Sequence, residues 1–137
     1  MVYRLMKEIE IVAGVIRRGS RILCVRRGYS ELSYIAYKWE FPGGKIEANE
    51  SASDALIREI REELRIQVVV GEKIMTLHHD YPDYLLTMHA YFCSSQHSTV
   101  TLTVHSDYEW CVPSMLGKFD WLEADIPLVD ELSKMNY

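Results

Sequence analysis

The sequence predicts a mixed α/β fold in one domain that spans residues 1–137. A chain of 137 residues has the usual size of a single domain. Hydrophobic residues make up 48% of it and charged residues 26%, which is typical of a globular protein and excludes a disordered one. Apolar β-branched runs lie on both sides of a segment with helical periodicity, and this alternation favours strands and helices in one layered unit.

The N-terminal third predicts two strands. Residues 9–16 are β-branched and mostly apolar, as expected of a strand buried on both faces. A turn is predicted at Arg18-Gly19-Ser20, with residues 21–26 as the returning strand of a hairpin. Residues 28–38 show no period and are predicted to form a loop, and Pro42-Gly43-Gly44 is predicted to break the backbone.

A helix is predicted from Ser51 to Leu64. Ser51 is a suitable N-cap, and Asp54 three residues later makes a weak capping box. Apolar residues recur every fourth position and form one stripe, made of Ala52, Leu56, Ile60 and Leu64.

Strands and a short helix are predicted in the second half of the chain. The strands are expected at residues 66–70, 73–77, 84–93, 98–103 and 109–112. A last helix over residues 127–134 opens with a proline, which suits a first helical turn.

Composition excludes several classes of protein. The net charge of −5 argues against a protein that coats nucleic acid, although one nucleotide can bind if a cation mediates. No apolar run reaches the ~20 residues of a membrane span, and we expect no signal peptide. Cys24, Cys93 and Cys111 lack metal-site or redox spacing and are interpreted as reduced thiols of a cytoplasmic protein; one disulfide plus a free thiol is the alternative.

The predicted helix carries four carboxylates: Asp54, Glu59, Glu62 and Glu63. At ~100° per residue, Glu63 lies about 20° from Leu56 and therefore inside the apolar stripe, while Glu59 lies at its edge. Acidic residues on a helix usually form a solvated face, and Glu62 alone fits that interpretation. A buried ionised carboxylate needs a partner, so carboxylates that converge here indicate a hard divalent cation, magnesium or manganese.

Two neighbouring features complete this hypothesis. Arg58 can neutralise one carboxylate, since it lies one turn before Glu62, but it cannot balance three. Gly43 and Gly44 would let a main-chain carbonyl approach the same cation, although a Gly-Gly pair is also typical of a tight turn.

The segment from Gly44 to Ile66 closely resembles the Nudix box, Gx5Ex7REUxEExGU, in which U is a bulky aliphatic residue. Glu50 and residues 58–63 fill the acidic and REUxEE positions, and Arg65 stands where the family has glycine. The resemblance implies an α/β/α sandwich around a mixed sheet. It also implies metal-dependent hydrolysis of a nucleoside diphosphate linked to another group.

Stretches outside the box resemble the MutT and CTP pyrophosphohydrolase branch of this family: Arg26-Arg27, residues 39–47, Tyr81-Pro82-Asp83 and residues 124–128. The substrate-binding residues that this similarity implies are Arg27, Glu40, Phe41, Lys45, Asp83 and Asp125. By that similarity Arg27 contacts phosphate, and Phe41, Asp83 and Asp125 border the base pocket.

Each of these roles has a structural alternative. Tyr81-Pro82-Asp83 is also a turn sequence, and Asp125 can precede the last helix as its cap. Phe41 can belong to the core as well as to the pocket, and one of Arg26 and Arg27 is expected to be only solvated.

Two positions depart from the family pattern. Arg65 is expected to weaken the left-handed end of the helix by about 1 kcal/mol or to change how the helix ends. Val104 stands six residues before Trp110, where MutT-like enzymes commonly place a glutamate that helps bind metal or activate water. Asp107 or Glu109 can take over from the loop, and the general base stays unassigned between Glu62 and Glu59. The five histidines show no ligand spacing and are interpreted as structural or solvent-facing.

The expected reaction is hydrolysis of a nucleoside triphosphate, CTP, dCTP or an oxidised nucleotide such as 8-oxo-dGTP, to the monophosphate and pyrophosphate in sanitation of the nucleotide pool. Attack on the β phosphorus is expected, so oxygen-18 from water would appear in pyrophosphate. Arg58 is expected to orient a glutamate, and Glu50 to stabilise the loop–helix junction or an outer metal. The metal ligands implied for Mg²⁺ or Mn²⁺ are the Gly43 carbonyl, Glu59, Glu62 and Glu63.

The partner expected is a free nucleotide, with no nucleic acid polymer and no membrane, and the protein is expected to be a monomer or a homodimer. Hydrolysis of ADP-ribose or another nucleoside-diphosphate derivative is the alternative activity. A non-catalytic nucleotide sensor is the alternative class, supported only by Val104 and Arg65.

Overall fold

A mixed β-sheet forms the centre of the molecule in the computed structural model, which describes residues 7–135. Its strands are β1 (Lys7–Arg18), β2 (Arg21–Arg26), β3 (Trp39–Glu40), β4 (Gly43–Lys45), β5 (Val69–Tyr81), β6 (Tyr84–Ser94) and β7 (Asp107–Cys111). They lie in the order β3-β2-β1-β6-β5, with β4 beside β1 and β7 beside β2. β1 and β6 are parallel, and the other pairs are antiparallel.

One helix covers each face of the sheet: α1 (Ala52–Leu64) and α2 (Ile126–Ser133). Alternate residues of β1 point to opposite faces, so Val12 and Ile16 share a core with α1, while Ala13 and Val15 share one with α2. A 3₁₀ segment, Pro113–Lys118, extends the α2 layer. The predicted α/β/α sandwich around a mixed sheet is thereby confirmed.

The edge of β1 that faces β2 is divided between two partners. Near its C-terminal end, β1 pairs with β2 through Arg17 and Arg18, and near its middle it pairs with β4 through residues 11–13. Residues 43–45, which pair with this edge, and residues 27–29, just beyond β2, line the cleft described below.

Three predicted elements differ in the structure. Residues 66–70 and 73–77 were expected as two strands, but β5 is continuous and absorbs Gly71 in register shifts after Val70 and after Lys73. The strand expected at residues 98–103 is wrong, because its backbone bonds go to the end of α1. There Thr101 N–H donates to the Leu64 carbonyl at 3.0 Å, and Thr103 N–H to the Glu63 carbonyl at 3.1 Å.

The backbone break expected at Pro42-Gly43-Gly44 is wrong in part, since Gly43 and Gly44 belong to β4. The N-cap expectation is confirmed: the Asp54 N–H donates to the Ser51 hydroxyl at 3.1 Å. All three cysteines are buried and unpaired. No helix within residues 7–135 is long and apolar enough to cross a membrane.

Candidate active site

The guanidinium of Arg58 ties α1 to the loop that precedes it. Its Nε and Nη2 donate to the Glu50 carboxylate at 2.7 and 2.9 Å, and Nη2 also donates to the Lys45 carbonyl at 3.0 Å. Nη1 donates to Glu59 at 3.0 Å and to Glu62 at 3.4 Å. The hydrogen bonds from Arg58 are the largest cause that lowers the pKa of Glu50 to about 2. These are contacts that would stabilise the loop–helix junction.

Both glycines of β4 lie where a Cβ would clash, Gly44 against α1 and Gly43 against β1. A Cβ at Gly44 would lie 2.4 Å from the carboxyl carbon of Glu59, and a Cβ at Gly43 would lie 2.0 Å from the Val12 carbonyl oxygen. The Glu59 side chain is only 16% exposed. Its carboxylate therefore occupies the space that the missing Cβ of Gly44 leaves open.

Glu63 points inward from α1, as its position in the apolar stripe predicts. It lines a cleft, and its Oε2 is buried without a hydrogen-bond partner. Burial first, and then the nearby carboxylates of Glu40 and Glu59, raise the pKa of Glu63 to about 8, against one backbone hydrogen bond from Gly43. Two neighbouring carboxylates with one unsatisfied oxygen call for a proton or a cation between them.

The carboxylates do not form a closed cage. No group of three or more His, Cys, Asp or Glu side chains in the described part of the chain is arranged to hold a metal ion. Glu62 is 59% exposed and, like Glu59, is engaged by Arg58. Even so, the residues fit a hard divalent cation. Glu63 has one carboxylate oxygen without a partner, and the carboxylate of Glu59 lies against the main chain of Gly44, so both can supply oxygen ligands.

The cleft has a volume of about 470 Å³ and two chemically different ends. The polar end contains Glu63 with Gly43, Gly44 and Lys45. The apolar end is walled mainly by aliphatic and aromatic side chains: Ile9, Ile11, Phe41, Tyr81, Tyr84, Leu86 and Met88. This volume and this division suit a ligand with one highly charged part and one flat, largely apolar part.

Phe41 serves both as core and as wall of the cleft. It lines the cleft, and its ring stacks on Trp121 with centroids 4.7 Å apart. Phe41 therefore belongs both to the core and to the wall of the cleft.

Asp125 lies at the apolar end and is 4% exposed. It occupies the N-cap position of α2, yet its side chain makes no capping hydrogen bond, so the capping alternative does not account for it. Burial raises the pKa of Asp125 well above its ordinary value, and the carboxylate of Glu40 adds to this; the Phe41 backbone opposes it. An uncharged carboxyl group can both donate and accept a hydrogen bond.

Arg27, Glu40 and His105 form one chain of contacts in the wall of the cleft. Arg27 Nη1 donates to Glu40 Oε1 at 3.3 Å, and His105 Nε2 bonds to Glu40 Oε2 at 2.9 Å. His105 was interpreted as structural or solvent-facing, whereas its side chain is only 4% exposed and lines the cleft. A signal was present in the sequence, because His105 follows directly on Val104, the position where the resemblance places a functional side chain.

Asp83 is not among the lining residues of the cleft, contrary to the expectation that it borders the base pocket. It lies in the turn between β5 and β6, where its carboxylate accepts a hydrogen bond from the Tyr34 hydroxyl. The residues on either side of that turn, Tyr81 and Tyr84, line the cleft in its place.

The last residue of β2, Arg26, and the next residue, Arg27, make different contacts. Arg27 lines the cleft, whereas Arg26 donates to the Tyr37 carbonyl at 3.0 Å and lies over the Tyr37 ring. Arg26 therefore holds the loop of residues 28–38 and is not merely solvated.

Neither acidic residue suggested as a replacement for the loop glutamate lines the cleft. Glu109 forms an ion pair with Lys118, and Asp107 accepts a hydrogen bond from the Tyr108 N–H at 2.7 Å. Val104 itself lines the cleft and is 64% exposed.

Comparison with known proteins identifies the family. A family model described as NUDIX domain matches residues 8–132. The CTP pyrophosphohydrolase of Escherichia coli K12 is 38% identical over 125 residues, which cover 91% of this chain and 91% of that protein. The 8-oxo-dGTP diphosphatase of Proteus vulgaris is 39% identical over 83 residues, 60% of this chain and 72% of that protein.

A solved structure agrees with these relatives. The NMR structure of DNA mismatch repair protein MutT, a family Nudix hydrolase from methicillin-resistant Staphylococcus aureus 252, has a TM-score of 0.74 and 40% identity. The match covers 94% of this chain and 98% of that chain. Family model, relatives and fold agree over nearly the whole length, and this chain belongs to the NUDIX domain family of hydrolases.

Proposed function

We propose that this protein hydrolyses a nucleoside triphosphate to the monophosphate and pyrophosphate, with CTP or dCTP as the first candidates and 8-oxo-dGTP as the next. The observation that carries this proposal is the two-ended cleft, with Glu63 and the β4 glycines at one end and the buried Asp125 at the other. A charged polyphosphate suits the first end and a base suits the second. The names of the relatives from E. coli and P. vulgaris support the same substrates.

The polar end would hold Mg²⁺ or Mn²⁺. The ligands we propose are Glu59, Glu62, Glu63 and the carbonyl of Gly43. A bound divalent ion supplies Lewis-acid stabilisation of phosphate charge and a lowered pKa for coordinated water. Because Arg58 engages Glu59 and Glu62, metal binding would exchange part of these ion pairs for metal ligation.

The chain's own cations then bind and orient the polyphosphate. Arg27 and Lys45 line the cleft and would neutralise phosphate oxygens. Arg58 would orient Glu59, and Glu50 would fix Arg58, since it holds Nε and Nη2 of the same guanidinium. These groups place the β phosphorus for in-line attack by water and stabilise the charge that develops on its oxygens.

At the apolar end, the carboxyl group of Asp125 would read the base. In its proton-bearing form it offers one donor and one acceptor, which complement the N3 acceptor and amino donor of cytosine. Phe41, Tyr81 and Tyr84 would exclude water around the ring of the base.

We further propose that the chain acts as a single domain in the cytoplasm, on free nucleotides, as a monomer or a homodimer. A cleft of about 470 Å³ accommodates one nucleotide, and a net charge of −5 opposes binding to a nucleic acid polymer.

A substrate screen tests the proposal. Purified protein is incubated with CTP, dCTP, 8-oxo-dGTP, ADP-ribose and other sugar nucleotides, with Mg²⁺ or with a chelator, and phosphate products are separated. We expect monophosphate and pyrophosphate from a triphosphate, only with metal. Glu63→Gln should abolish the reaction, while Glu131→Gln, an exposed carboxylate on α2, should not. Faster AMP release from ADP-ribose, or no hydrolysis at all, would contradict the proposal and favour a derivative pyrophosphatase or a sensor.

The position of attack has its own readout. In oxygen-18 water, the label should appear in pyrophosphate and not in the monophosphate. Label in the monophosphate would move the attack to the α phosphorus.

A further inference from the structure

We propose that His105 is the general base of the hydrolytic reaction, accepting a proton from the attacking water at Nδ1. This inference rests on the proposed function and names a residue for the step that the motif leaves without one. The first observation is geometric: the side chain lines the cleft, is 4% exposed, and bonds through Nε2 to Glu40 at 2.9 Å.

The partner of Nε2 determines what Nδ1 can do. An ionised carboxylate only accepts hydrogen bonds, so Nε2 of His105 must carry the proton that it donates to Glu40. In the neutral ring, the lone pair then lies on Nδ1. Arg27 Nη1 donates to both oxygens of Glu40, at 3.3 and 3.5 Å, and so places a positive charge beside this carboxylate. A carboxylate that orients a histidine in this manner leaves the second nitrogen as a base.

Nδ1 of His105 is buried and has no hydrogen-bond partner. A buried acceptor without a partner is unfavourable, which indicates that a donor binds there during the reaction. Phosphate oxygens of a triphosphate are acceptors and do not meet that need, whereas water does.

The other candidates for the base have a different role: Glu59 and Glu62 are proposed above as metal ligands, and Glu109 does not line the cleft. Glu59 and Glu62 both accept hydrogen bonds from Arg58, and Glu109 pairs with Lys118. Val104 has no basic atom, and His105 is the next residue along the chain in the same wall of the cleft. Glu40 links His105 to the polar end, because its carboxylate lies near enough to raise the pKa of Glu63.

In the proposed step, water attacks the β phosphorus. The water oxygen forms a bond to the β phosphorus, while the bond from that phosphorus to the α–β bridging oxygen breaks. The bridging oxygen leaves with the electron pair on the monophosphate, the new oxygen stays on pyrophosphate, and the water proton moves to Nδ1 of His105. His105 then releases this proton to solvent and returns to its neutral form.

The test compares His105→Gln with His89→Gln. The glutamine amide in the first variant would keep a donor for Glu40 but has no basic nitrogen. His89 is the matched control, since its Nε2 also pairs with a carboxylate, Glu10 at 3.1 Å, while its Nδ1 is already bonded to Thr76 and the residue does not line the cleft. Rates are measured from acidic to alkaline pH with saturating Mg²⁺ and the best triphosphate of the screen.

We expect His105→Gln to lower kcat at least about 100-fold, the usual size of general-base catalysis, with KM within about threefold of wild type. The wild-type kcat should rise with pH on its acidic side, and this limb should vanish in His105→Gln and persist in His89→Gln. The comparison is needed because other titratable or charged groups face the same cleft: Arg27, Glu40, Lys45, Glu63, Asp125 and the tyrosines 29, 81 and 84. An unchanged kcat, an unchanged acidic limb, or a change confined to KM would overturn the proposal.

A second readout needs no variant and no metal. Nitrogen-15 NMR of the histidine rings in the wild-type protein should show His105 with a protonated Nε2 and a bare Nδ1. A protonated Nδ1 with a bare Nε2 would overturn the assignment even if His105→Gln failed to fold. Absence of triphosphate hydrolysis in the wild type would instead reject the proposed function, so the two failures are distinguishable.

Discussion

Single residues in this site act mostly by fixing the charge state of a neighbour. Arg58 keeps Glu50 ionised, with a pKa of about 2, while Glu63 lacks such a partner and its pKa rises to about 8. The pKa values of Glu50 and Glu63 are therefore shifted in opposite directions, although both residues are glutamates of the same motif. Glu50 is paired with Arg58, whereas one oxygen of Glu63 has no partner, which supports the proposed role of Glu63 as a metal ligand.

A prediction at this scale concerns Asp125. Asp125→Asn replaces a neutral carboxyl group by an amide that also offers one donor and one acceptor, so kcat/KM for a cytidine triphosphate should stay within about fivefold of wild type. Asp125→Ala removes both groups, and kcat/KM should fall about 10- to 100-fold, as expected for loss of buried hydrogen bonds to a substrate. Steady-state kinetics on both variants measure this. Equal losses in the two variants would show that Asp125 reads the base as an anion.

At the scale of elements, the contact between α1 and β4 positions the carboxylates. Gly44→Ala places a Cβ 2.4 Å from the Glu59 carboxyl carbon, and Glu59 must move. We expect kcat to fall at least about tenfold and the metal concentration for half-maximal rate to rise, because small displacements of catalytic groups have large effects on rate. Gly117→Ala is the matched control, since its Cβ meets no atom within 4 Å. Metal titration of the rate separates the two variants, and equal behaviour would contradict the role of this contact.

The end of α1 gives a prediction about stability. Arg65 ends the helix in the left-handed region, with φ 57° and ψ 35°, and its N–H bonds to the Arg61 carbonyl. Arg65→Gly should relieve this strain and raise the free energy of unfolding by about 1 kcal/mol, with unchanged kcat. Arg65→Ala keeps the Cβ and removes the charge, so it should bring no gain. Urea unfolding of the three proteins checks this, and a gain in Arg65→Ala would assign the effect to charge.

Elements with strong local signals could be predicted from the sequence, and elements decided by long-range partners could not. The spacing from Ser51 to Leu64 was sufficient for α1 and for its N-cap. Residues 98–103 have the pattern of a strand, but their N–H groups satisfy the carbonyls at the end of α1, a contact between segments about 40 residues apart that no local pattern carries. β5 was divided at Gly71 because a glycine in a strand can mark either a turn or a bulge.

The same difference between local signals and long-range partners applies to the residues of the candidate active site. The helical angle of Glu63 predicted its inward position, because periodicity alone decides which face a helical residue occupies. The position of Asp83 outside the cleft and that of His105 in its wall were not predicted, since their side chains are directed by a hydroxyl from Tyr34 and a carboxylate from Glu40, far away in the sequence. Motif spacing predicts residues within one element well, and it does not predict which loops meet across a cleft.

At the scale of the whole molecule, the cleft links stability to pH and to metal. The ordinary pKa of glutamate is 4.5, and that of Glu63 in the folded protein is about 8, so between these values the folded chain holds a proton that the unfolded chain has lost. Stability of the metal-free protein should therefore fall as pH rises through this interval. Asp125 contributes with the same sign, because its pKa is also raised.

Glu63→Gln separates the two contributions. Without metal, this variant should be more stable than the wild type at about pH 8 and equally stable at about pH 5, because the amide has no proton to lose. With Mg²⁺, the wild type should regain stability, as expected for an ion that binds only the folded state, and Glu63→Gln should gain less. Urea unfolding at both pH values, with metal and with chelator, measures all four states. A wild type whose metal-free stability does not change over this range would contradict the raised pKa of Glu63, and a wild type that gains no stability with Mg²⁺ would contradict a metal site at the polar end of the cleft.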